Sequence, residues 1–245
     1  MTDKPDEAKP FGYAPDHFHP DDTIAEDGEF DDALVVCWDL TNSTQAVLKA
    51  GGTTYDCWDA QSNVLASLSG YFGGIVADVV VPTGDGFLLV FNLHRFADPL
   101  KHGQKRMLKE ARPIVNGVIE YQDSRAHQRP LTDDRGVVHI NERITMHLPK
   151  MLDGRFGVAR GIVRVHECPS PRLGRWIAPV GEPLFMASRL CSLAPDGGLL
   201  IEASVLPDGF TGDAKPPERL QPTREQVTPK GFLHPVTVWR LAPKA

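Results

Sequence analysis

The sequence lacks the features that mark disulfide-rich, membrane-spanning and secreted proteins. Its four cysteines are far apart and form no CxxC pair, so we expect buried, reduced thiols at Cys37, Cys57, Cys168 and Cys191. No apolar run approaches the ~18 to 20 residues that a membrane-spanning helix needs. The amino terminus is acidic rather than basic and then apolar, unlike a secretory signal. We therefore expect a cytoplasmic protein with no membrane partner.

Basic charge is scarce as well. The chain of 245 residues has 26 Lys and Arg against 32 Asp and Glu. Residues 1–32 alone carry 11 acidic and two basic side chains, a local charge of −9 that leaves +3 for the remainder. Because nucleic-acid affinity depends on clustered Lys and Arg, we expect no nucleic-acid partner. A mildly basic body is still compatible with a nucleotide ligand.

The chain is long enough for one domain with its own core, and 41% of its residues are hydrophobic. Residues 1–31 place four prolines among acidic and small residues, a composition that cannot offset the entropy of ordering. We predict a flexible acidic tail over residues 1–31 and one folded domain over residues 32–245.

Strand and helix patterns follow the tail. An apolar run over residues 33–38 predicts a buried strand that ends at Asp39, and capping residues over 41–44 precede a short helix. A second helix is predicted over 54–71, followed by two β-rich runs around a Gly/Pro/Asp cluster, which indicates a hairpin. The remaining expectations are a helix over residues 98–122 with a kink at Pro113, strands within 137–165, a helix over 183–194, strands at 198–201 and 235–239, and a loop-rich stretch over 207–229.

Two carboxylates stand at the ends of neighbouring β elements. Asp39 closes the first strand and Asp85 lies at the hairpin tip. Hard divalent cations prefer oxygen ligands, and two carboxylates can hold ions that also bind phosphate oxygens. The turn after Asp39 adds backbone N–H groups and the hydroxyls of Ser43 and Thr44 at a helix amino terminus, which is an anion site. Each feature alone is also typical of an ordinary turn or helix cap.

Five motifs, in order over about residues 33–242, resemble those of the class III nucleotidyl cyclase catalytic domain, the family of adenylate and guanylate cyclases. They are Trp38-Asp39-Leu40-Thr41-Asn42-Ser43-Thr44, Thr83-Gly84-Asp85-Gly86-Phe87, the strand element over 157–163, the helix over 181–190, and Lys230-Gly231 followed by Pro235-Val236. The resemblance implies an α+β fold with a ferredoxin-like βαββαβ core, a mostly antiparallel sheet, helices on one face and a carboxy-terminal strand extension.

The resemblance also implies roles for individual residues. Asp39 and Asp85, with the backbone carbonyl of Leu40, would hold two divalent cations, Mn²⁺ or Mg²⁺. Arg189 would stabilise the charge that develops on the α-phosphate, and a head-to-tail homodimer with composite sites is implied because sites of this family lie between two chains. The residues implied for the triphosphate are Thr41, Asn42, Ser43, Thr44 and Lys230, with Arg160 as a further candidate that a solvated strand-edge position explains equally well.

The sequence departs from the adenylate cyclases at three positions. Val81 and Ala178 replace the residues that read adenine, and Phe185 replaces the asparagine that orients the ribose. None of these side chains can hydrogen-bond a purine edge, so we expect a different base. The pattern is similar to that of the pyrimidine (uridylate and cytidylate) cyclases of Pycsar antiphage defence, whose cyclic nucleotide acts on a separate effector protein. Phe185 and either Tyr55 or Trp58 are candidate base contacts, with ordinary core positions as the alternative.

Taken together, these features predict a nucleotidyl cyclase, a phosphorus–oxygen lyase that converts a pyrimidine NTP to 3′,5′-cyclic NMP and pyrophosphate. UTP is favoured over CTP, which makes a uridylate cyclase and an antiviral cyclic UMP signal the specific expectation. An adenylate cyclase with a non-standard base pocket and a non-catalytic nucleotide-binding module are the alternatives. An unrelated α+β fold with coincidental motifs is a third.

Overall fold

The computed structural model describes residues 28–41, 54–94, 96–100, 104–107, 111–127, 138–139, 145–146, 154–170, 174–210 and 217–244. Its helices are α1 (Thr54–Tyr71), α2 (Arg112–His127) and α3 (Glu182–Leu193). Its strands are β1 (Glu29–Leu40), β2 (Val79–Pro82), β3 (Gly86–Asn92), β4 (Phe96–Leu100), β5 (Gln104–Met107), β6 (Val138–His139), β7 (Thr145–Met146), β8 (Gly154–Ser170), β9 (Gly174–Val180), β10 (Leu199–Glu202), β11 (Leu220–Val227) and β12 (Val236–Pro243). None of the described helices has the length and apolar character needed to cross a lipid bilayer.

One eight-stranded sheet forms the centre of the protein. Its strands follow the order β11-β12-β10-β8-β1-β3-β2, and β9 pairs with β8. Every pair in this sheet is antiparallel except β10 with β8, which are parallel. The short hairpins β4–β5 and β6–β7 pair separately. The predicted α+β class with a mostly antiparallel sheet is therefore confirmed.

Side chains of β1 alternate between two hydrophobic clusters. The even-numbered residues from Leu34 to Leu40 face α1 and α2, whereas the odd-numbered residues from Ala33 to Cys37 face α3. The helices thus cover both faces of the sheet, and the expectation of helices on one face is corrected for α3. The physical reason is visible in β1 itself, because a strand with an unbroken apolar run needs cover on both sides.

Two sequence-based assignments were wrong. The helix expected over residues 98–122 is a hairpin, β4–β5, followed by α2, which begins only at Arg112. Pro113 lies in the first turn of α2, where its missing N–H needs no partner, so it starts this helix rather than kinking it. The stretch over 207–229, expected to be loop-rich, contains β11, whose Pro222 is tolerated because β11 is an edge strand.

Other assignments are confirmed. The helix predicted over residues 54–71 has the bounds of α1, and the β2–β3 hairpin forms as predicted. Cys37 and Cys191 are buried free thiols, and their contact with each other, together with burial, raises the pKa of Cys191. The side chains of Cys57 and Cys168, and the short helix expected after residue 44, lie outside the described part of the chain.

α3 packs close against β8 because Gly157 has no side chain. A Cβ at Gly157 would lie 2.0 Å from the carbonyl oxygen of Ala187 and 2.3 Å from the amide nitrogen of Cys191. Both are backbone atoms of α3, so a side chain at this position has to displace the whole helix. The position of α3 against the central sheet therefore depends on this glycine.

We expect Gly157→Ala to lower the free energy of unfolding by about 1–3 kcal/mol, because added volume in a packed site forces backbone shifts. Urea denaturation measures this quantity. Gly70→Ala is the matched control, since a Cβ there would meet no atom within 4 Å and the residue lies in α1. That variant should be neutral or more stable by up to about 1 kcal/mol. Equal stability of the two variants would contradict the close approach.

Candidate active site

β1 and the β2–β3 hairpin bring Asp39 and Asp85 together. Asp39 lies across from Gly86 in the β1–β3 pair, so the hairpin tip faces the end of β1. The two carboxyl groups are within hydrogen-bonding reach of each other. Gly86 permits this approach, because a Cβ there would lie 2.2 Å from the carbonyl oxygen of Trp38. The two predicted metal ligands thus share one site, and their role as ligands stays a prediction.

The proximity of these carboxylates has an electrostatic cost. Burial raises the pKa of Asp39 above its ordinary value, a hydrogen bond from Arg155 opposes this rise, and the neighbouring Asp85 adds to it. Two carboxylates at this distance repel each other unless a proton or a cation is shared between them. The pair therefore fits the divalent cations that the resemblance implies. Within the described residues no three His, Cys, Asp or Glu side chains cluster, so backbone, phosphate or water oxygens would complete the coordination.

Arg155 is the site residue that sequence reasoning missed. It lies across from Asp39 in the β1–β8 pair, and its Nη2 is 3.1 Å from Oδ2 of Asp39. Its Nη1 donates a hydrogen bond of 3.1 Å to the carbonyl oxygen of Ser192, in the last turn of α3, where carbonyls lack helical partners. The guanidinium therefore connects the end of β1 to the end of α3. Only the strand register reveals this position.

Thr41 lies two residues after Asp39, directly after β1, and its hydroxyl is chemically unsatisfied. It is 6% exposed, and its hydroxyl oxygen has no hydrogen-bond partner in the described part of the chain. Buried hydroxyls normally have a partner, and a phosphate oxygen would provide one. Leu40, whose carbonyl is a predicted ligand, lies between Thr41 and Asp39 and is buried. Asn42, Ser43 and Thr44 lie outside the described residues.

Arg160 is not brought to this site. It lies across from Leu34, five positions from Asp39 along β1, which is about 17 Å at ~3.3 Å per residue. Its Nε and Nη2 are each 2.6 Å from a carboxylate oxygen of Asp32, and this pairing lowers the pKa of Asp32. Within one chain, the guanidinium of Arg160 therefore holds another carboxylate at a distance from the pair, and the triphosphate role expected for Arg160 stays a prediction.

The other basic residues predicted for the site face solvent. Arg189 and Phe185 lie four residues apart on the exposed face of α3, and Phe185 is 64% exposed. Lys230 is exposed in the turn that joins β11 to β12. The register of β8, β10 and β12 places this turn at the end of the sheet opposite Asp39. A single chain therefore does not bring Lys230 to the carboxylate pair.

The predicted base-pocket residues are also dispersed within one chain. Val81 is half-buried on β2 and Ala178 is half-buried on β9. The pairing path between these strands runs through β3, β1 and β8. Tyr55 belongs to the first turn of α1, and its side chain lies outside the described part. Within one chain, Val81 and Ala178 therefore lie on strands separated by three others.

Comparison with known proteins identifies the fold. No protein-family model and no curated protein sequence matches the chain. Its structure is similar to the adenylyl cyclase CyaB from P. aeruginosa, with a TM-score of 0.56 and 19% identity over 87% of this chain and 95% of that one. It is also similar to the guanylyl cyclase Cya2, with a TM-score of 0.55 and 19% identity over 87% and 93% of the two chains. The chain has the fold of a nucleotidyl cyclase catalytic domain.

A third similar structure is also a cyclase catalytic core. It is the catalytic core of a rhodopsin-guanylyl cyclase with converted specificity, in complex with ATPαS, at a TM-score of 0.53 and 20% identity over 90% of this chain and all of that one. The fold implied by the sequence motifs is thereby confirmed. At these identities the similarity concerns the fold alone.

The raised pKa of Asp39 predicts a stability effect. A carboxyl group whose pKa is higher in the folded than in the unfolded protein destabilises the fold above that pKa and ceases to do so below it. Without divalent cations, Asp39→Asn should therefore unfold at a higher temperature than the wild-type protein at pH 7. The difference should shrink as the pH falls and Asp39 takes up its proton, which thermal unfolding between about pH 4 and pH 8 will show.

Asp32→Asn is the matched control, with the opposite sign. Because Arg160 lowers the pKa of Asp32, this carboxylate stabilises the fold at neutral pH and loses that contribution as the pH falls. Asp32→Asn should therefore unfold at a lower temperature than wild type at pH 7. If Asp39→Asn behaved like Asp32→Asn, the ion pair with Arg155 would outweigh the repulsion from Asp85.

Proposed function

We propose that the protein is a nucleotidyl cyclase that converts a pyrimidine NTP, UTP ahead of CTP, to 3′,5′-cyclic NMP and pyrophosphate. The observation that carries the proposal is the Asp39–Asp85 pair at the end of β1 in a cyclase fold. Their mutual repulsion gives the site a reason to bind cations, and Thr41, whose hydroxyl is unsatisfied, lies two residues after Asp39.

The chain supplies the ligands for two Mn²⁺ or Mg²⁺ ions in this proposal. Asp39 and Asp85 would hold them, with the carbonyl of Leu40 as a further ligand. When bound, divalent cations neutralise phosphate charge and lower the pKa of the attacking hydroxyl. Arg155 holds Oδ2 of Asp39 from the side of β8, which orients this carboxylate toward Asp85.

The proposed reaction is an in-line displacement at the α-phosphorus. A bond forms between the ribose 3′-oxygen and the α-phosphorus while the bond from this phosphorus to the bridging oxygen of pyrophosphate breaks, and the hydroxyl proton passes to solvent. Thr41 and the residues that follow it would bind the β- and γ-phosphates at a helix amino terminus. Arg189 of the partner subunit would stabilise the charge on the α-phosphate.

A homodimer with two composite sites follows from where the cationic residues lie. Lys230 is at the end of the sheet opposite Asp39, and Arg189 faces solvent on α3. A head-to-tail arrangement would bring Arg189 and Lys230 of the partner subunit to the carboxylate pair. Because a two-fold axis would relate the two chains, the dimer would have two equivalent sites.

Base selectivity toward a pyrimidine is supported by what the predicted pocket residues cannot do. Val81 and Ala178 carry no side-chain donor or acceptor, and Phe185 presents only an aromatic face. Every base needs partners for its polar edge, so these positions cannot read a purine as the adenylate cyclases do, and other groups would have to read the edge of a pyrimidine. A pyrimidine is smaller and can stack on an aromatic ring such as that of Phe185.

The biological role in this proposal is that of a cytoplasmic messenger synthase. The resemblance to the pyrimidine cyclases of antiphage defence supports cyclic UMP or cyclic CMP as the signal, with a separate effector protein downstream. The mildly basic charge of residues 33–245 is compatible with an NTP substrate. The acidic residues 1–31 have no part in the proposed chemistry.

Incubation of the purified protein with each of the four NTPs and Mn²⁺, followed by chromatography, tests the reaction directly. We expect cyclic UMP as the main product, with cyclic CMP second, and pyrophosphate in equal amount. Asp39→Asn and Asp85→Asn should each reduce turnover by at least about a hundredfold, because the cations lose a ligand. Cyclic AMP as the dominant product would remove the pyrimidine assignment and leave the cyclase.

Mixing two inactive variants tests the composite site. Asp39→Asn and Arg189→Ala should each be inactive alone, because every site in their homodimers lacks one residue. In an equimolar mixture about half of the dimers are mixed, and each mixed dimer has one intact site, so about a quarter of wild-type activity should return. Co-purification of untagged Arg189→Ala subunits with affinity-tagged Asp39→Asn subunits provides the measure of subunit exchange. No recovery despite exchange would place Arg189 and Asp39 in the same chain's site.

A non-catalytic nucleotide-binding module is the second candidate. Phe185, which occupies the position of the ribose-orienting asparagine, is the observation that favours it. Tight binding of an NTP to wild-type protein without pyrophosphate release would decide for this module. Retention of both Asp39 and Asp85, despite the cost of their proximity, favours the cyclase.

A further inference from the structure

A buried glutamine on α1 contacts the backbone on both sides of Asp85. The side-chain Nε2 of Gln61 donates hydrogen bonds to the carbonyl oxygens of Gly84 and Gly86, the second at 3.2 Å. Gln61 is 6% exposed. A side-chain amide has two N–H donors, and both are used here on residues that flank a single carboxylate.

The hairpin tip needs a contact from another element, because the residues of the tip restrain its backbone conformation only weakly. Gly84 and Gly86 have no side chains, and glycine leaves the backbone more conformations than any other residue. Within the hairpin, the N–H of Thr83 donates to the carbonyl of Gly86 at 2.9 Å. The carbonyl of Gly84, directly before Asp85, is held by the amide of Gln61. Fixing the peptide groups before and after Asp85 fixes the direction of its Cα–Cβ bond.

The placement of Gln61 on α1 is not explained by packing alone. Val64 and Leu68 follow it at helical spacing and are buried in the cluster between α1 and the sheet. An apolar side chain would continue this stripe, whereas a buried amide requires hydrogen-bond partners. The hydrogen-bond partners of Gln61 are at the tip of the β2–β3 hairpin.

We propose that Gln61 is a positioning residue for Asp85: it holds the hairpin tip so that the Asp85 carboxylate stays beside Asp39 in the geometry that binds cations. The proposal rests on the proposed function, in which Asp85 is a metal ligand. Gln61 does not touch substrate or cation and acts only through the backbone of Gly84 and Gly86. Residues that orient metal ligands from outside commonly change metal affinity about tenfold or more when replaced.

Gln61→Met tests this role, because methionine has similar length and no donor. The concentration of Mn²⁺ at half-saturation should rise about tenfold, measured with Mn²⁺ alone from the electron paramagnetic resonance signal of the free ion. In the cyclase assay the Mn²⁺ activation constant should rise to match, while turnover at saturating Mn²⁺ should stay within about threefold of wild type, because the ligand is misplaced rather than missing. Gln61→Asn keeps the amide but is one methylene shorter, so it should behave like Gln61→Met.

Val64→Ala is the matched control for helix stability. It lies one turn further along α1 and is buried, and its apolar side chain cannot donate a hydrogen bond to the hairpin tip. It should lower the unfolding temperature without changing the Mn²⁺ half-saturation. If Val64→Ala weakened Mn²⁺ binding as much as Gln61→Met, the effect would be general loosening of α1 and the positioning role would be overturned.

Asp85→Asn separates this inference from the proposed function. If wild type and Asp85→Asn bind Mn²⁺ equally, Asp85 is not a ligand and the proposed function fails. If wild type binds Mn²⁺ more tightly than Asp85→Asn, while Gln61→Met and Gln61→Asn match wild type, the proposed function stands and the role of Gln61 is overturned. Weakened binding in both Gln61 variants, with Val64→Ala unchanged, supports the role.

Discussion

The repulsion between Asp39 and Asp85 is the constraint around which the site is built. Pairing of β1 with β3 sets Asp39 against Gly86, and the absence of a side chain at Gly86 lets the hairpin tip come close. Burial and the neighbouring carboxylate both disfavour the charge on Asp39. Stability alone gives no reason to place two acids there, so the arrangement supports the proposal that cations bind at this site.

The elements around the pair restrain it from different directions. Arg155 on β8 holds one oxygen of Asp39 and the end of α3, whereas Gln61 on α1 holds the backbone around Asp85. Because α1 and α3 lie on opposite faces of the sheet, both faces contribute to the position of the carboxylates. The central place of β1, buried on both sides, makes this possible.

The sequence predicted what depends on local pattern. The apolar run that ends at Asp39 and the Gly-Asp-Gly hairpin tip are contiguous, so both carboxylates and their meeting could be inferred from the sequence. The roles of Arg155 and Gln61 could not be inferred in this way. Arg155 is 116 residues from Asp39, and their contact depends on strand register. Gln61 is 23 and 25 residues from Gly84 and Gly86, and these contacts depend on how α1 docks on the sheet. The position of Arg160 depends on the same kind of information: its motif identified the strand β8, but only the register showed that it lies across from Leu34, five positions from Asp39. A polar residue within the apolar stripe of α1 was the one available signal for Gln61.

In the proposed dimer, the distribution of charge between the two ends of the sheet would make each site depend on a second chain. One chain holds the carboxylates at the end of β1 and Lys230 at the opposite end. In an antiparallel pair of chains each carboxylate pair would meet Lys230 of the partner subunit. Association would then do more than bury surface, because it would bring positive charge to a site where the charge of bound phosphates has to be neutralised. Any factor that changes the dimer equilibrium would therefore change the rate of cyclisation without touching Asp39 or Asp85.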